Sequence, residues 1–307
     1  MRFFFKYLCI GMIILVSSGF VYQTYSQYID SSTFIKTGEM IDVGGYSLYT
    51  EDSGMGRVNV IFDSGMGDDL SVWKKVSDEV SKFARVITYD RAGLGWSDES
   101  PKERTSEEIV RELHSMLEKK KLIGPIILVG HSFGGVNMQQ FALKYPDEIA
   151  GLVLIDSAHE SQIDNMPKPS FIKKYLFKFG MWAAPVGLPR LYLSNSNPEE
   201  KAKKSTTKHQ YTSLDEANSF QQSLNELQAL KPNFGNLPLI VIARNKQSSE
   251  VSASDTRNYV WAGLQENITT RSSNSTIIFT GERQHSIHKS QPDIVVTAIH
   301  RLIDNLH

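Results

Sequence analysis

Strand and helix alternate along this chain in the rhythm of an α/β protein whose mostly parallel central sheet is covered by helices on both faces. Short apolar runs recur, among them Val58-Asn59-Val60-Ile61-Phe62, Ile126-Ile127-Leu128-Val129 and Pro238-Leu239-Ile240-Val241-Ile242, and such runs read as strands buried on both sides. Segments of helical spacing lie between them, which is the βαβ pattern. The 307 residues, 40% hydrophobic, are enough for one large core plus an insertion.

The elements follow in order. Glu39 to Asp52 predicts two short strands around the hairpin signal Gly44-Gly45. The strand Val58–Phe62 runs into Ser64-Gly65-Met66-Gly67, a glycine turn. Arg85-Val86-Ile87-Thr88-Tyr89-Asp90 is the next strand, and Asp90 and Arg91 after it are read as a pair that holds the following loop. Thr105-Ser106-Glu107-Glu108 caps a helix with Ile109, Leu113, Met116 and Leu117 on one face. Lys119-Lys120-Lys121 closes it as a solvated terminus suited to the helix dipole. After the strand Ile126–Val129 comes a helix with Met138, Phe141, Ala142 and Tyr145 at i, i+3, i+4 and i+7, stopped by Pro146. The strand Leu152-Val153-Leu154-Ile155 follows, then the insert described below, then Pro238–Ile242, a strand over Ser275–Thr280 and a last helix opening at Pro292.

The chemistry-bearing motif is Gly130-His131-Ser132-Phe133-Gly134-Gly135. A buried strand before it and a helix after it make this G-x-S-x-G a nucleophile elbow, with the hydroxyl of Ser132 held clear of the backbone. Serine needs a general base to be nucleophilic, and Gly281-Glu282-Arg283-Gln284-His285-Ser286-Ile287-His288 offers two histidines on a loop after the last strand. With these residues the chain resembles the α/β-hydrolase superfamily, in its serine esterase/lipase branch, from Glu39 to its end apart from one insert. The resemblance implies a sheet of that fold with a helical lid between the sixth and seventh strands. It picks His285, seven residues before Pro292, as the catalytic base, and leaves His288 as a partly buried neighbour. It also implies an oxyanion hole made by the N–H groups of Met66 and Phe133. The family's usual acid position, after the penultimate strand, holds Ala243-Arg244-Asn245-Lys246-Gln247-Ser248-Ser249, with no carboxylate. The alternative position, at the end of the preceding strand, holds Asp156; Asp255 is the runner-up, with Glu250 also nearby. Implied is cleavage of a small ester-like substrate through an acyl-enzyme, with a non-catalytic binding protein, an acyltransferase or a peptidase as the other readings. Serine at 132 argues against a dehalogenase, which would carry aspartate there.

Composition narrows the rest. A formal net charge of −1 and the lack of a basic stripe with interleaved aromatics point away from nucleic acid. Cys9 is the single cysteine, so there is neither an intramolecular disulfide nor a thiolate zinc site. No metal or nucleotide motif is present, so no cofactor is expected.

At the N-terminus, Arg2 and Lys6 precede an uncharged run from Tyr7 to Tyr22. The run predicts a single-pass anchor over residues 1–22 with the enzyme domain outside the cytoplasm, and Gln23 to Gly38 as linker. A cleaved signal peptide, cut near Val16-Ser17-Ser18, is the rival and would give a secreted protein. Residues 39–158 and 237–307 are the two parts of the core, and 159–236 the lid. In the lid, Ile172, Tyr175, Leu176 and Phe179 share a helix face, with Lys173, Lys174 and Lys178 elsewhere on it. The face is read as packing over the substrate pocket, with contact to an anionic membrane surface as the second reading. Lys201-Ala202-Lys203-Lys204 is expected on exposed helix surface, and Leu214 to Leu230 forms another helix ended by Lys231-Pro232.

Overall fold

A computed structural model describes residues 2–166, 171–244 and 253–306. The elements run α1 (Arg2–Thr33), β1 (Glu39–Asp42), β2 (Ser47–Ser53), β3 (Asn59–Asp63), α2 (Lys74–Val80), β4 (Arg85–Tyr89), α3 (Ser106–Lys120), β5 (Ile126–His131), α4 (Phe133–Lys144) and β6 (Ile149–Ile155). Five helices then fill the insert: α5 (Gln162–Asn165), α6 (Phe171–Trp182), α7 (Leu188–Tyr192), α8 (Pro198–Lys204) and α9 (Thr207–Ala229). The core resumes with β7 (Leu239–Ala243), α10 (Ala253–Thr269), β8 (Ser275–Phe279), α11 (Ile287–Ser290) and α12 (Pro292–Asp304).

The strands form one sheet in the order β1-β2-β4-β3-β5-β6-β7-β8. The β1–β2 hairpin enters antiparallel, and from β4 through β3 to β8 every neighbour is parallel. Side chains alternate between two cores, as the two-residue period of a strand requires. Ile61, Ile87, Leu128, Leu154 and Val241 face Leu113 and Met116 of α3 and Phe141 of α4. Val60, Phe62, Val129, Val153 and Ile242 face Trp73 and Val76 on one side and Val295, Ile299 and Leu302 of α12 on the other. Burial on both faces is why these strands read as continuous apolar runs.

Several expectations are corrected by the packing. The segment expected as linker is helical to Thr33, because nothing from Gln23 to Thr33 breaks a helix. Its Gln23 is buried against the insert. Helix α9 starts at Thr207, capped by Thr206 Oγ1, which accepts the N–H of His209. Lys203 and Lys204, expected on open surface, are buried. Lys120 at the end of α3 is 4% exposed and ion-paired with Asp52 at 2.6 Å, so that terminus is only partly solvated.

The turn from β5 into α4 is packed tightly against β3. A Cβ on Gly134 would lie 2.3 Å from the carbonyl oxygen of Asp63, so β3 and α4 approach backbone to backbone. Gly134→Ala should therefore cost about 1–3 kcal/mol through overpacking. A thermal melt checks this, at about 2–4 °C per kcal/mol for a chain of this size.

Candidate active site

Ser132 sits between the last residue of β5 and the first of α4 with φ +53° and ψ −115°. Among the described residues four non-glycine residues have positive φ: Lys121, Ser132, Asp156 and Lys231. Lys121 and Lys231 lie at helix ends, whereas Ser132 and Asp156 lie at the ends of the adjacent strands β5 and β6. Strained backbone at such places is characteristic of functional sites. Two backbone bonds tie the two turns together, Ser132 N–H donating to Ile155 O and Ala158 N–H to Ser132 O, and a third, Asp156 N–H to Ile242 O, ties the second turn to β7.

Asp156 is fully buried, and its carboxylate is fully engaged. Its Oδ2 accepts from His285 Nδ1 at 2.5 Å. Its Oδ1 accepts the Trp261 indole N–H at 2.7 Å and the Arg244 backbone N–H at 3.2 Å. Burial alone would push this carboxyl up; the His285 bond and charge, the Arg244 guanidinium and the Trp261 indole outweigh it and hold it below its ordinary value. The structure thus joins His285 to Asp156. Asp255 lies on α10, with its side chain outside the described residues, as is Glu250 altogether. A carboxylate on Nδ1 fixes the proton there and turns Nε2 outward. The His285 side chain is 39% exposed. Its ring is not hydrogen-bonded to Ser132 among the described residues, a looseness common before substrate closes a site.

His288 is completely buried rather than partly so, its ring 4.6 Å from that of Trp73 and 4.4 Å from that of His131. His131 donates from Nε2 to the His285 carbonyl at 3.0 Å and so pins the loop that carries His285. Burial, with its histidine neighbours second, pushes His131 well below the usual histidine range, and burial takes His288 down to about 3. Both rings beside His285 are therefore neutral at ordinary pH.

The turn after β3 is held from two sides. Arg91, 1% exposed, donates from Nη1 to Asp63 Oδ1 and to the Ser64 carbonyl, and from Nη2 to the Gly65 carbonyl. It does not pair with Asp90, whose carboxylate instead accepts the backbone N–H groups of Leu70 and Trp96. The second partner of Arg91 is Glu216 of α9, at 2.7 Å. The other oxygen of Glu216 accepts the Gly67 N–H at 2.8 Å. Gly67's carbonyl accepts from Nε2 of His209, also on α9, and Lys204 of α8 bonds Asp68 at 2.8 Å. Met66 is thus flanked by residues whose polar backbone groups are fixed, and it packs with Phe133, Leu224 and Phe220. Phe133 is the first residue of α4, where helix geometry leaves an N–H without an intrahelical acceptor. Glu216, His209, Trp261 and His131 carry no local sequence signal: each meets its partner across a hundred residues or more, in pairs such as Arg91 with Glu216 and Trp261 with Asp156. No group of three or more His, Cys, Asp or Glu among the described residues is arranged to hold a metal ion.

Residues 58–184 match the model of the family described as alpha/beta hydrolase fold. The chain has the α/β-hydrolase fold. Over 259 residues it is 28% identical to YqjL of Bacillus subtilis (strain 168), covering 84% of this chain and 88% of that protein. It is 29% identical over 103 residues to the (lyso)-N-acylphosphatidylethanolamine lipase of Bos taurus, covering 33% of this chain but only 30% of the lipase. Among solved structures, the Cif epoxide hydrolase from Acinetobacter nosocomialis superposes with a TM-score of 0.72 over 92% of this chain and 96% of its own, at 17% identity. That likeness is one of fold. The parallel sheet and flanking helices expected from the resemblance are those of this fold, and the helices α5–α9 stand between the sixth and seventh strands.

Two stability tests follow from the buried charges. Glu216→Ala leaves the Arg91 guanidinium buried with one partner removed, and should cost about 3–5 kcal/mol in urea unfolding, Glu216→Gln costing less. The neutral histidines predict acid sensitivity. Above pH 6.5 neither folded nor unfolded chain protonates them; below it the unfolded chain binds a proton at His288 while the folded chain does not until about pH 3. Stability should therefore fall as pH falls, by up to about 1.4 kcal/mol per pH unit for each such ring. His288→Phe, which keeps an aromatic ring against Trp73, should make the urea midpoint less dependent on pH between 6.5 and 4.

Proposed function

We propose that this protein is a serine hydrolase that cleaves a carboxylic ester-like bond through an acyl-enzyme, with Ser132 as nucleophile, His285 as base and Asp156 as the acid behind it. The observation that carries the reading is the 2.5 Å bond from His285 Nδ1 to the buried Asp156, beside a Ser132 held in elbow geometry. In the proposed reaction Ser132 Oγ attacks the substrate carbonyl carbon while His285 Nε2 takes its proton. The N–H groups of Met66 and Phe133 receive the oxyanion, usually the largest electrostatic contribution to acyl transfer. The intermediate collapses as His285 protonates the departing alcohol. Water, deprotonated by the same nitrogen, then attacks the acyl carbon, and the proton returns to Ser132 as the acid leaves. Asp156 stays ionised throughout and stabilises the imidazolium, a role suited to its lowered pKa. Neutral His131 and His288 add no positive charge against that imidazolium. The similarity to a lipase over part of the chain is in keeping with this chemistry.

The helices α5–α9 are proposed as the lid, since α9 packs Phe220, Leu224 and Leu227 against Phe133, next to Ser132. Helix α1 is, among the described residues, long and apolar enough to cross a membrane, as a signal sequence also would be. We read it as a retained anchor that holds the catalytic domain outside the cytoplasm, because its second half is built into the folded domain through buried Gln23.

A fluorophosphonate probe should label the parent and not Ser132→Ala, and the same substitution should abolish hydrolysis of p-nitrophenyl butyrate. Asp156→Asn should lower kcat by roughly 10⁴-fold, and Asp255→Asn should change it little. Activity in Ser132→Ala within a few-fold of the parent would remove the nucleophile assignment. Ligand binding without labelling would favour a non-catalytic binder.

A further inference from the structure

The contact between α1 and the insert fixes where a bilayer would meet this protein. From Arg2 to Tyr22 the helix is 21 residues long, roughly 31 Å at the α-helical rise, against a hydrocarbon core of about 30 Å. Nothing in its most apolar stretch is buried in the protein. The first close contact with the insert comes at Gly19, where a Cβ would lie 2.7 Å from the carbonyl oxygen of Val186. One turn later the contact becomes polar and specific. Gln23 donates from Nε2 to the Ser205 carbonyl at 2.7 Å and accepts from Arg190 Nε at 2.9 Å. Arg190 reaches on to the carboxylate of Asp30. A buried amide satisfied at both ends, followed by a nearly buried ion pair, sets both the height and the rotation of α1 against the insert.

That height places one further element at the membrane surface. The turn at Ala184–Val186, which touches Gly19, begins two residues after Trp182, the last residue of α6. Helix α6 exposes large apolar side chains that the fold leaves uncovered: Tyr175 is 56% exposed, Leu176 65%, Phe179 57% and Trp182 65%. Exposed apolar patches of this kind mark interaction surfaces. On α1, just past the membrane-length stretch, Tyr25 and Tyr28 are 64% and 70% exposed. Exposed tyrosine and tryptophan beside a membrane-length helix are enriched at membrane–water interfaces.

We propose that α6 is seated in the outer face of the bilayer that holds α1, so that the insert lies on the membrane as one unit with its anchor. The inference rests on the reading of α1 as a retained anchor, and the occupant of the α6 surface is the lipid bilayer itself. It has a consequence for the site: α6 packs on α9, and α9 carries Phe220 and Leu224 against Phe133 and bonds Gly67 through Glu216. The membrane and the loop beside Ser132 are then joined through two helices.

The test uses the full chain reconstituted into phosphatidylcholine vesicles with brominated or ordinary acyl chains, read by tryptophan fluorescence. Of the four tryptophans Trp73 and Trp261 are buried and Trp96 is partly covered beside Lys36, so a bilayer quencher should act mainly on the exposed Trp182, and the Trp182→Phe protein gives the share due to the others. Bromolipid should reduce emission of the parent, and Trp182→Phe should lose at least half of that reduction. Asp30→Asn, which loosens Arg190, should weaken the quenching of Trp182 while leaving the protein in the vesicles. Resistance to alkaline extraction reports on the anchor separately. If the protein is extracted, the anchor reading fails and the inference with it. If it resists extraction but the parent is not quenched, or Trp182→Phe is quenched as fully as the parent, the seating of α6 is overturned while the anchor stands. Unchanged quenching in Asp30→Asn would overturn the coupling between anchor and insert.

Discussion

One guanidinium ties together the side of this molecule on which the Ser132 turn lies. Arg91 is buried at the meeting point of the β3 strand end, the loop after it and helix α9, and it reaches Asp63, the carbonyls of Ser64 and Gly65, and Glu216. A charge in that position is tolerable only because every direction in which it points holds an acceptor. Asp63 is in turn bonded by Asn137 of α4 at 2.7 Å. The elbow helix, the glycine loop and the insert therefore share one electrostatic junction, and none of the three can shift without uncovering charge in the others. The Arg91 guanidinium also lies 5.6 Å from the Phe133 ring centre, beside the residue that follows Ser132.

The parts of this arrangement that sequence reveals are those governed by local rules. Period-two burial, the capping pattern at Thr105, the elbow around Ser132 and the helix opening at Pro292 each follow from residues within a few positions of one another, and the mostly parallel sheet follows from their rhythm. The resemblance to the α/β-hydrolases offered Asp156 ahead of Asp255 as partner of His285, and in the structure His285 Nδ1 bonds Asp156. What stayed hidden depends on tertiary neighbours. Arg91 stands next to Asp90 in sequence, so the adjacent acid was the natural partner. In the fold its partners come from 28 and 125 residues away. Lys203 and Lys204 look like helix surface until the acids Asp68 and Asp69 are brought opposite them. Gln23 has the composition of a linker residue and becomes buried only because Arg190 and Ser205 arrive to satisfy it.

Two adjacent strand ends carry the strained residues, and the strain has a common support. Ser132 and Asp156 both adopt positive φ, and each turn is bonded into the neighbouring strand through Ile155 and Ile242. The geometry of the pair is set by the sheet and not by loops. His285 by contrast lies on a loop with its side chain 39% exposed, held by Asp156 and by the His131 bond to its carbonyl.

The parallel pairing of β6 with β7, Leu152 opposite Leu239 and Ile155 opposite Ile242, is unbroken although roughly eighty residues separate the two strands. Closing so long a detour costs only about 0.6 kcal/mol more for each doubling of its length. The sheet is thus nearly indifferent to how long the intervening segment is, while the chemistry beneath it depends on the few side chains that the segment sends down. Length can vary in the segment so long as Glu216, His209 and Lys204 still reach Arg91, Gly67 and Asp68. A scaffold of this kind can change what it admits without rebuilding what it does.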